Sequence, residues 1–276
     1  MHPLITATEL RQMLEANSKP VVLDCSFDLA DPAAGERSYR EGHLPQALYV
    51  SLDRDLSGPK TGSNGRHPLR ERADYVQWMG RIGIAPGKPV VAYDRQGGMY
   101  AARAWWVLRW MGHADAALLD GGLAAWQQAG GALTQDVPTP TPVAPYPSQA
   151  PALPTLDAQQ LQARLNEVRV IDARAPERYR GDVEPLDAVA GHIPGALNRF
   201  FKDNLLPDGR FKPAEQLRAE FSPLLDGRPV VQQCGSGVTA CHNLLAMEVA
   251  GLGATALYPG SWSEWSSDPS RPMARA

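Results

Sequence analysis

The chain has 276 residues, 43% of them hydrophobic and 21% charged, and a formal net charge of −3. That supports one large or two medium cores, and the near balance of charge argues against a nucleic acid or an anionic membrane surface as a partner. No basic segment followed by an apolar core opens the sequence, and no apolar run approaches the roughly 20 residues that cross a bilayer, so a cytoplasmic protein with no membrane partner is expected.

Residues 6–17 read as a short amphipathic helix, with Thr6 as N-cap and Glu9 as its capping-box partner. Val21-Val22-Leu23-Asp24 reads as a buried strand ending in an acid, and Gly42-His43-Leu44-Pro45 follows. Gly65-Arg66-His67-Pro68 lies in a stretch peculiar to the first half and reads equally as a turn or as the border of a cleft. Val90-Val91-Ala92-Tyr93-Asp94 is a second buried strand ending in an acid. The helix after it carries Trp105, Trp106 and Trp110, which read as core or domain interface. Gly121 to Trp126 closes the first half. Thr134 to Pro154 carries seven prolines and is expected to be a semi-rigid extended tether.

The second half repeats the series. A helix-like segment over 157–165 leads to a strand ending at Asp172, and then come Gly191-His192-Ile193-Pro194, Val230 to Cys234, and Gly260 to Trp265. Four matches in one order mark an internal duplication, and hence two domains over 1–133 and 155–276 joined by a linker over 134–154. Strand-like and helix-like segments alternate in each copy, so the fold class is α/β, with a parallel sheet flanked by helices in each domain. Such sheets place ligands at the carboxyl ends of their strands, where Cys234 stands in one copy and Asp94 in the other.

Around Cys234 the sequence reads strand, glycine-rich turn, helix. A sulfur at a helix N-terminus meets inward-pointing amides and the positive end of the macrodipole, which favour the nucleophilic thiolate. A lone cysteine is more often a buried small hydrophobe; Gly235 and Gly237 shift that balance, because few side chains obstruct the loop amides. Cys25, Cys234 and Cys241 are too few for a disulfide framework, and Cys234 and Cys241 would be about 10 Å apart along one helix. The six histidines show no metal-ligand spacing, so no metal and no cofactor are expected. A phosphatase of related fold would need Cys-x5-Arg, and the sixth residue after Cys234 is Ala240. No local signature of a cysteine protease is present.

The duplicated set resembles the rhodanese superfamily, specifically its tandem-domain sulfurtransferases, over nearly the whole chain. The resemblance rests on Gly191 to Ala196, on Gly260 to Trp265, and on Cys234-Gly235-Ser236-Gly237-Val238-Thr239, which is similar to the family's six-residue active loop. It implies that Cys234 takes a sulfane sulfur from a small-molecule donor as a persulfide. The sulfur then passes to a thiol acceptor (a thioredoxin-like protein or a small thiol) or to cyanide. Gly235, Gly237, Val238 and Thr239 would line the substrate loop, and the first domain, with Asp94 in place of the cysteine, would be inactive. A non-catalytic rhodanese-like binding module is the alternative outside enzymology.

The uncharged loop is similar to that of the 3-mercaptopyruvate-using members; thiosulfate is the alternative donor. That similarity implies that Ser236 and His43 act on the donor carbonyl, with Asp31 near the place of an assisting aspartate. It also implies that Arg178 holds the donor carboxylate. The family's second arginine falls on Asp187 in a segment two residues shorter, and Arg199 is a candidate substitute.

Overall fold

The computed structural model of the protein describes residues 1–16 and 19–275. The chain forms two compact units: Met1–Ser57, Arg70–Ala152 and Pro207–Phe211 make the first, and Gly58–Leu69, Leu153–Leu206 and Lys212–Ala276 the second. By these contacts residues 58–69 group with the second unit rather than with the 1–133 domain in which sequence places them, and residues 207–211 group with the first.

The first unit runs β1 (Leu4–Ile5), α1 (Ala7–Glu15), β2 (Val21–Asp24), α2 (Ala34–Glu41), β3 (Ala47–Tyr49), α3 (Arg72–Arg81), β4 (Val90–Tyr93), α4 (Ala101–Trp110), β5 (Ala116–Leu119) and α5 (Gly122–Gln128). Its sheet has the order β1-β5-β4-β2-β3 and is parallel throughout. The apolar runs of β2 and β4 suit strands covered on both faces. Leu10, Tyr39, Leu123 and Trp126, from α1, α2 and α5, pack with Val22, Val91 and Ala117 of the sheet. The Thr6–Glu9 capping box starts α1; Asn17, the last residue of the expected helix, lies outside the described residues. Trp105 and Trp106 of α4 are fully buried core residues.

The proline-rich stretch is pinned rather than free. Its start pairs with the first half through His43 and Thr134. The Val143 and Tyr146 amides donate to the Gly80 and Val76 carbonyls of α3, at 2.9 and 3.1 Å, and the Ala152 amide donates to Trp110 at 3.1 Å. A methyl at Gly80 would meet the Ala144 carbonyl oxygen at 2.8 Å, so glycine lets the strap lie against the helix.

The second unit runs α6 (Ala158–Ala163), β6 (Arg169–Asp172), α7 (Pro176–Arg180), β7 (Leu197–Asn198), a short 3-10 turn, α8 (Ala214–Phe221), β8 (Val230–Gln233), α9 (Ala240–Val249), β9 (Ala256–Leu257) and α10 (Ser261–Trp265). The sheet order is β7-β6-β8-β9, again parallel. A lone parallel bridge from Thr155 to Leu257 stands where β1 pairs with β5 in the first unit. The core gathers Leu161, Val170, Ile193, Val231, Trp262 and Trp265. β8 sits between β6 and β9, so the loop that follows it leaves from the middle of the sheet. Among the described residues no helix is long and apolar enough to cross a membrane.

Candidate active site

The loop Cys234–Thr239 joins β8 to α9, and Cys234 is 2% exposed. Its backbone is held from one side by α10. The Cys234 amide donates to Ser261 Oγ at 3.1 Å. The Cys234 and Gly235 carbonyls accept from the Trp262 and Ser263 amides at 3.0 and 2.9 Å. In a trans peptide the carbonyl and the following N–H point in opposite directions. The Gly235 and Ser236 amides therefore face away from α10. This is the physical work of the Gly260–Trp265 motif. Gly237 has a left-handed φ of 75°, and a side chain there would meet the Pro259 carbonyl oxygen at 2.2 Å.

The first unit repeats this loop with an anion already inside it. The Leu123 amide donates to the Asp94 carbonyl at 3.2 Å, as Trp262 does to Cys234. The Asp94 carboxylate is buried and accepts from four loop amides. Gln96 and Gly98 reach Oδ1 at 2.9 and 2.8 Å, and Tyr100 and Ala101 both reach Oδ2 at 2.9 Å. Burial pushes the Asp94 carboxyl upward, with the four amides opposing it. The matching positions in the second loop are Ser236, Val238, Ala240 and Cys241; there the Cys241 amide donates to the Val238 carbonyl instead.

Ser236 is 7% exposed, and its hydroxyl shares a 2.8 Å hydrogen bond with Nδ1 of His67, itself 3% exposed. Arg66 and Arg178 flank the loop on its open side. A methyl placed on Gly235 would lie 2.8 Å from Arg66 Nη2 and 3.4 Å from Arg178 Nη1. Both guanidiniums are braced by Asp187: Arg66 Nη1 donates to Oδ1, and Arg178 Nη2 lies 3.3 Å from Oδ2. Glu184 takes Arg178 Nη2 at 2.6 Å and Arg174 Nη1 at 3.4 Å. Arg174 is otherwise committed to Asp172, through Nε at 3.0 and 3.1 Å and Nη2 at 2.7 Å, and to the Gly191 carbonyl, through Nη2 at 2.7 Å. Burial pushes the Asp187 carboxyl upward, against the pull of Arg66.

The second unit thus brings together Cys234, Gly235, Ser236, Gly237, Val238, Thr239 and Arg178, all expected from the sequence. It adds Arg66 and His67, whose segment reads in sequence as either a turn or a cleft border.

His43 requires correction. It belongs to the first unit, is fully buried, and stacks on Tyr39 with ring centroids 3.8 Å apart. Nδ1 lies 2.7 Å from the Tyr39 carbonyl oxygen and Nε2 lies 3.2 Å from that of Asp136. With both ring nitrogens facing backbone carbonyls, neither is available to a donor. His192 repeats the arrangement on Tyr179, with centroids 4.1 Å apart and Nδ1 2.9 Å from the Tyr179 oxygen.

Two further candidates are also committed elsewhere. Arg199 pairs with Glu220 at 2.6 Å and lies over the Phe221 ring. Asp31 pairs with Arg37 on the surface. His67 carries one usable signal in the sequence: it has no counterpart in the other copy, whereas His43 and His192 are a duplicated pair.

The model of the rhodanese-like domain matches twice, over residues 6–129 and 157–268. The chain is 50% identical over 280 residues to a Pseudomonas aeruginosa protein named "Probable 3-mercaptopyruvate sulfurtransferase", covering 98% of this chain and 97% of that one. It is 34% identical over 254 residues to the Mus musculus thiosulfate sulfurtransferase, covering 88% and 84%. Among solved structures, the 3-mercaptopyruvate sulfurtransferase from Leishmania major superposes with a TM-score of 0.85 at 30% identity, covering 95% of this chain and 74% of that one.

Proposed function

The chain belongs to the rhodanese family, and from that premise we propose that it takes sulfur from 3-mercaptopyruvate onto Cys234 and passes it to a thiol or to cyanide. The observation that carries the choice of donor is the hydrogen bond between Ser236 and His67 beside an uncharged Gly235–Ser236 turn. A thiosulfate site needs cations and no acid catalyst. A keto acid needs a hydroxyl or imidazole at its carbonyl, because negative charge spreads onto that oxygen as sulfur leaves.

The first half-reaction is a displacement at sulfur. The Cys234 thiolate attacks the donor sulfur, an S–S bond forms, and the C–S bond breaks. The electron pair passes to the methylene carbon as the enolate of pyruvate, which then takes a proton. Ser236, hydrogen-bonded to His67, is placed to stabilise the enolate oxygen and to relay that proton. Arg66 and Arg178 are suited to the donor carboxylate through guanidinium–carboxylate pairing. In the second half-reaction an acceptor thiolate or cyanide attacks the outer sulfur, and Cys234 leaves as thiolate. In this reading the loop amides that face away from α10 stabilise the charge on sulfur in both directions. A thioredoxin-like protein or a small thiol serves as acceptor in this reading, in the cytoplasm, and the first domain, with Asp94, carries no sulfur.

Thiosulfate is the second reading, favoured by the two guanidiniums beside Gly235. Measuring kcat/KM for both donors with one acceptor decides between them. A higher value for thiosulfate would overturn the preference for 3-mercaptopyruvate.

A further inference from the structure

Asp187 stands where the resemblance called for a cation, and its carboxylate lies between two guanidiniums next to the catalytic loop. It is not a surface residue: its side chain is 6% exposed, and Glu184 beside it is 4% exposed. One oxygen receives Arg66 and the other faces Arg178, the arrangement that a bound carboxylate would adopt between the same two arginines. Arg66 and Arg178 also each keep a buried Nε with no acceptor among the described residues.

We propose that Asp187 is a resident anion in the donor-binding position, which the donor's own anionic group must displace, and that it thereby selects donors by charge. The proposal rests on the sulfurtransferase reading for what the donors are. The binding competition itself rests only on the cluster.

The selectivity follows from the charges. Two guanidiniums, Arg66 and Arg178, face two carboxylates, Asp187 and Glu184. A donor with one carboxylate exchanges with Asp187 one for one and leaves the balance unchanged. A dianion brings one negative charge more than it replaces, in a site that already holds two. Desolvated like charges at this range repel strongly. The same pair of arginines would otherwise prefer the dianion, so Asp187 reverses the order that its partners alone would set.

The test is the binding of inert anions, pyruvate and sulfate, followed by titration calorimetry on the wild-type chain and on Asp187→Asn, together with kcat/KM for both donors. The wild type should bind pyruvate more tightly than sulfate. Asp187→Asn should bind sulfate at least about tenfold more tightly, about 1.4 kcal/mol, with a smaller gain for pyruvate. Its thiosulfate to 3-mercaptopyruvate ratio of kcat/KM should rise by a similar factor.

If Asp187 is only a brace for Arg66, the asparagine variant will bind both anions more weakly, and the proposal is lost. Should that variant fail to fold, the wild type alone decides, because sulfate binding tighter than pyruvate overturns the proposal. Anion binding needs no sulfur transfer. A wild type inert toward both donors would therefore sink the functional reading and leave this measurement standing.

Discussion

Asp94 and Cys234 stand at the same place in two similar loops, each between a buried central strand and a ten-residue helix. Around Asp94 four amides converge on the two carboxylate oxygens, so the first loop is filled by its own side chain. Around Cys234 the same turn holds a side chain one atom shorter. Counted along bonds, aspartate (Cβ, Cγ, Oδ) and a cysteine persulfide (Cβ, Sγ, Sδ) have the same length. The first loop therefore holds in its own side chain a group of the length and polarity that the second is suited to hold for part of a cycle.

The surroundings diverge too. At the position of Gly235 the first loop has Arg95, whose guanidinium donates to the Ser38 and Gly42 carbonyls. At the position of Ser236 it has Gln96, tied to the Phe27 carbonyl at 3.1 Å. One loop is closed by side-chain hydrogen bonds to backbone carbonyls of its own unit, and the other is bordered by a serine–histidine pair and two arginines. A shared backbone gives anion binding; the chemistry depends on what rims it.

The largest effect is expected from disarming one loop and arming the other. Cys234→Ser should lose sulfur transfer to background, and intact-mass analysis after donor treatment should show no added sulfur, whereas Cys25→Ser and Cys241→Ser keep both. Adding Asp94→Cys to the disarmed chain should not restore a donor-dependent adduct, because the first loop lacks the arginines and the Ser236–His67 pair. A restored adduct would mean that the turn alone suffices.

Next in size is the loss of the rim. Ser236→Ala or His67→Gln should lower kcat/KM for 3-mercaptopyruvate by about 10²-fold, the usual range for an acid–base group. The same variants should touch thiosulfate turnover much less. Equal losses on both donors would argue that the pair only supports the loop.

Asp94→Ala should cost about 2–4 kcal/mol of stability, read from denaturant midpoints, since four buried amides lose their acceptor. The smallest effect is in pH. A carboxyl pushed up by burial binds more protons in the folded state, so its contribution is full below the unfolded value and fades as pH rises through the folded one. The wild type should therefore lose stability relative to Asp94→Asn as pH increases across that window. A growing advantage for the wild type would reverse the sign assigned to burial there.

Much of the fold and of the cysteine loop is legible in the sequence because it is local. The strand–turn–helix around Cys234, the capping boxes at Thr6 and Asp157, and the duplicated order of motifs all depend on neighbours within a few positions. The rim is not legible. His67 meets Ser236 across 169 positions and Arg66 meets Asp187 across 121, and no periodicity reports such a meeting. The Gly-His-x-Pro motif that holds His43 occurs in both copies, so its histidine does not distinguish the copy with the cysteine from the copy without it. Its real task, stacking on a tyrosine and holding carbonyls, is the one His192 shares. Arg178 is found only through the family resemblance, since it stands beside Gly235 across 57 positions.

The excursion of residues 58–69 into the second unit bears on how the protein is made. During synthesis His67 and Arg66 emerge long before Asp187 and Ser236, and they wait for most of the chain to follow. The site is thus dominated by contacts of high sequence separation, which form late because loop closure must precede them. A nascent chain can fold the first sheet early and still be inert. A gene fragment encoding only the second repeat would yield the cysteine loop without its histidine or its second arginine. The two repeats are no longer interchangeable modules, since a dozen residues of the first, 58–69, fold with the second.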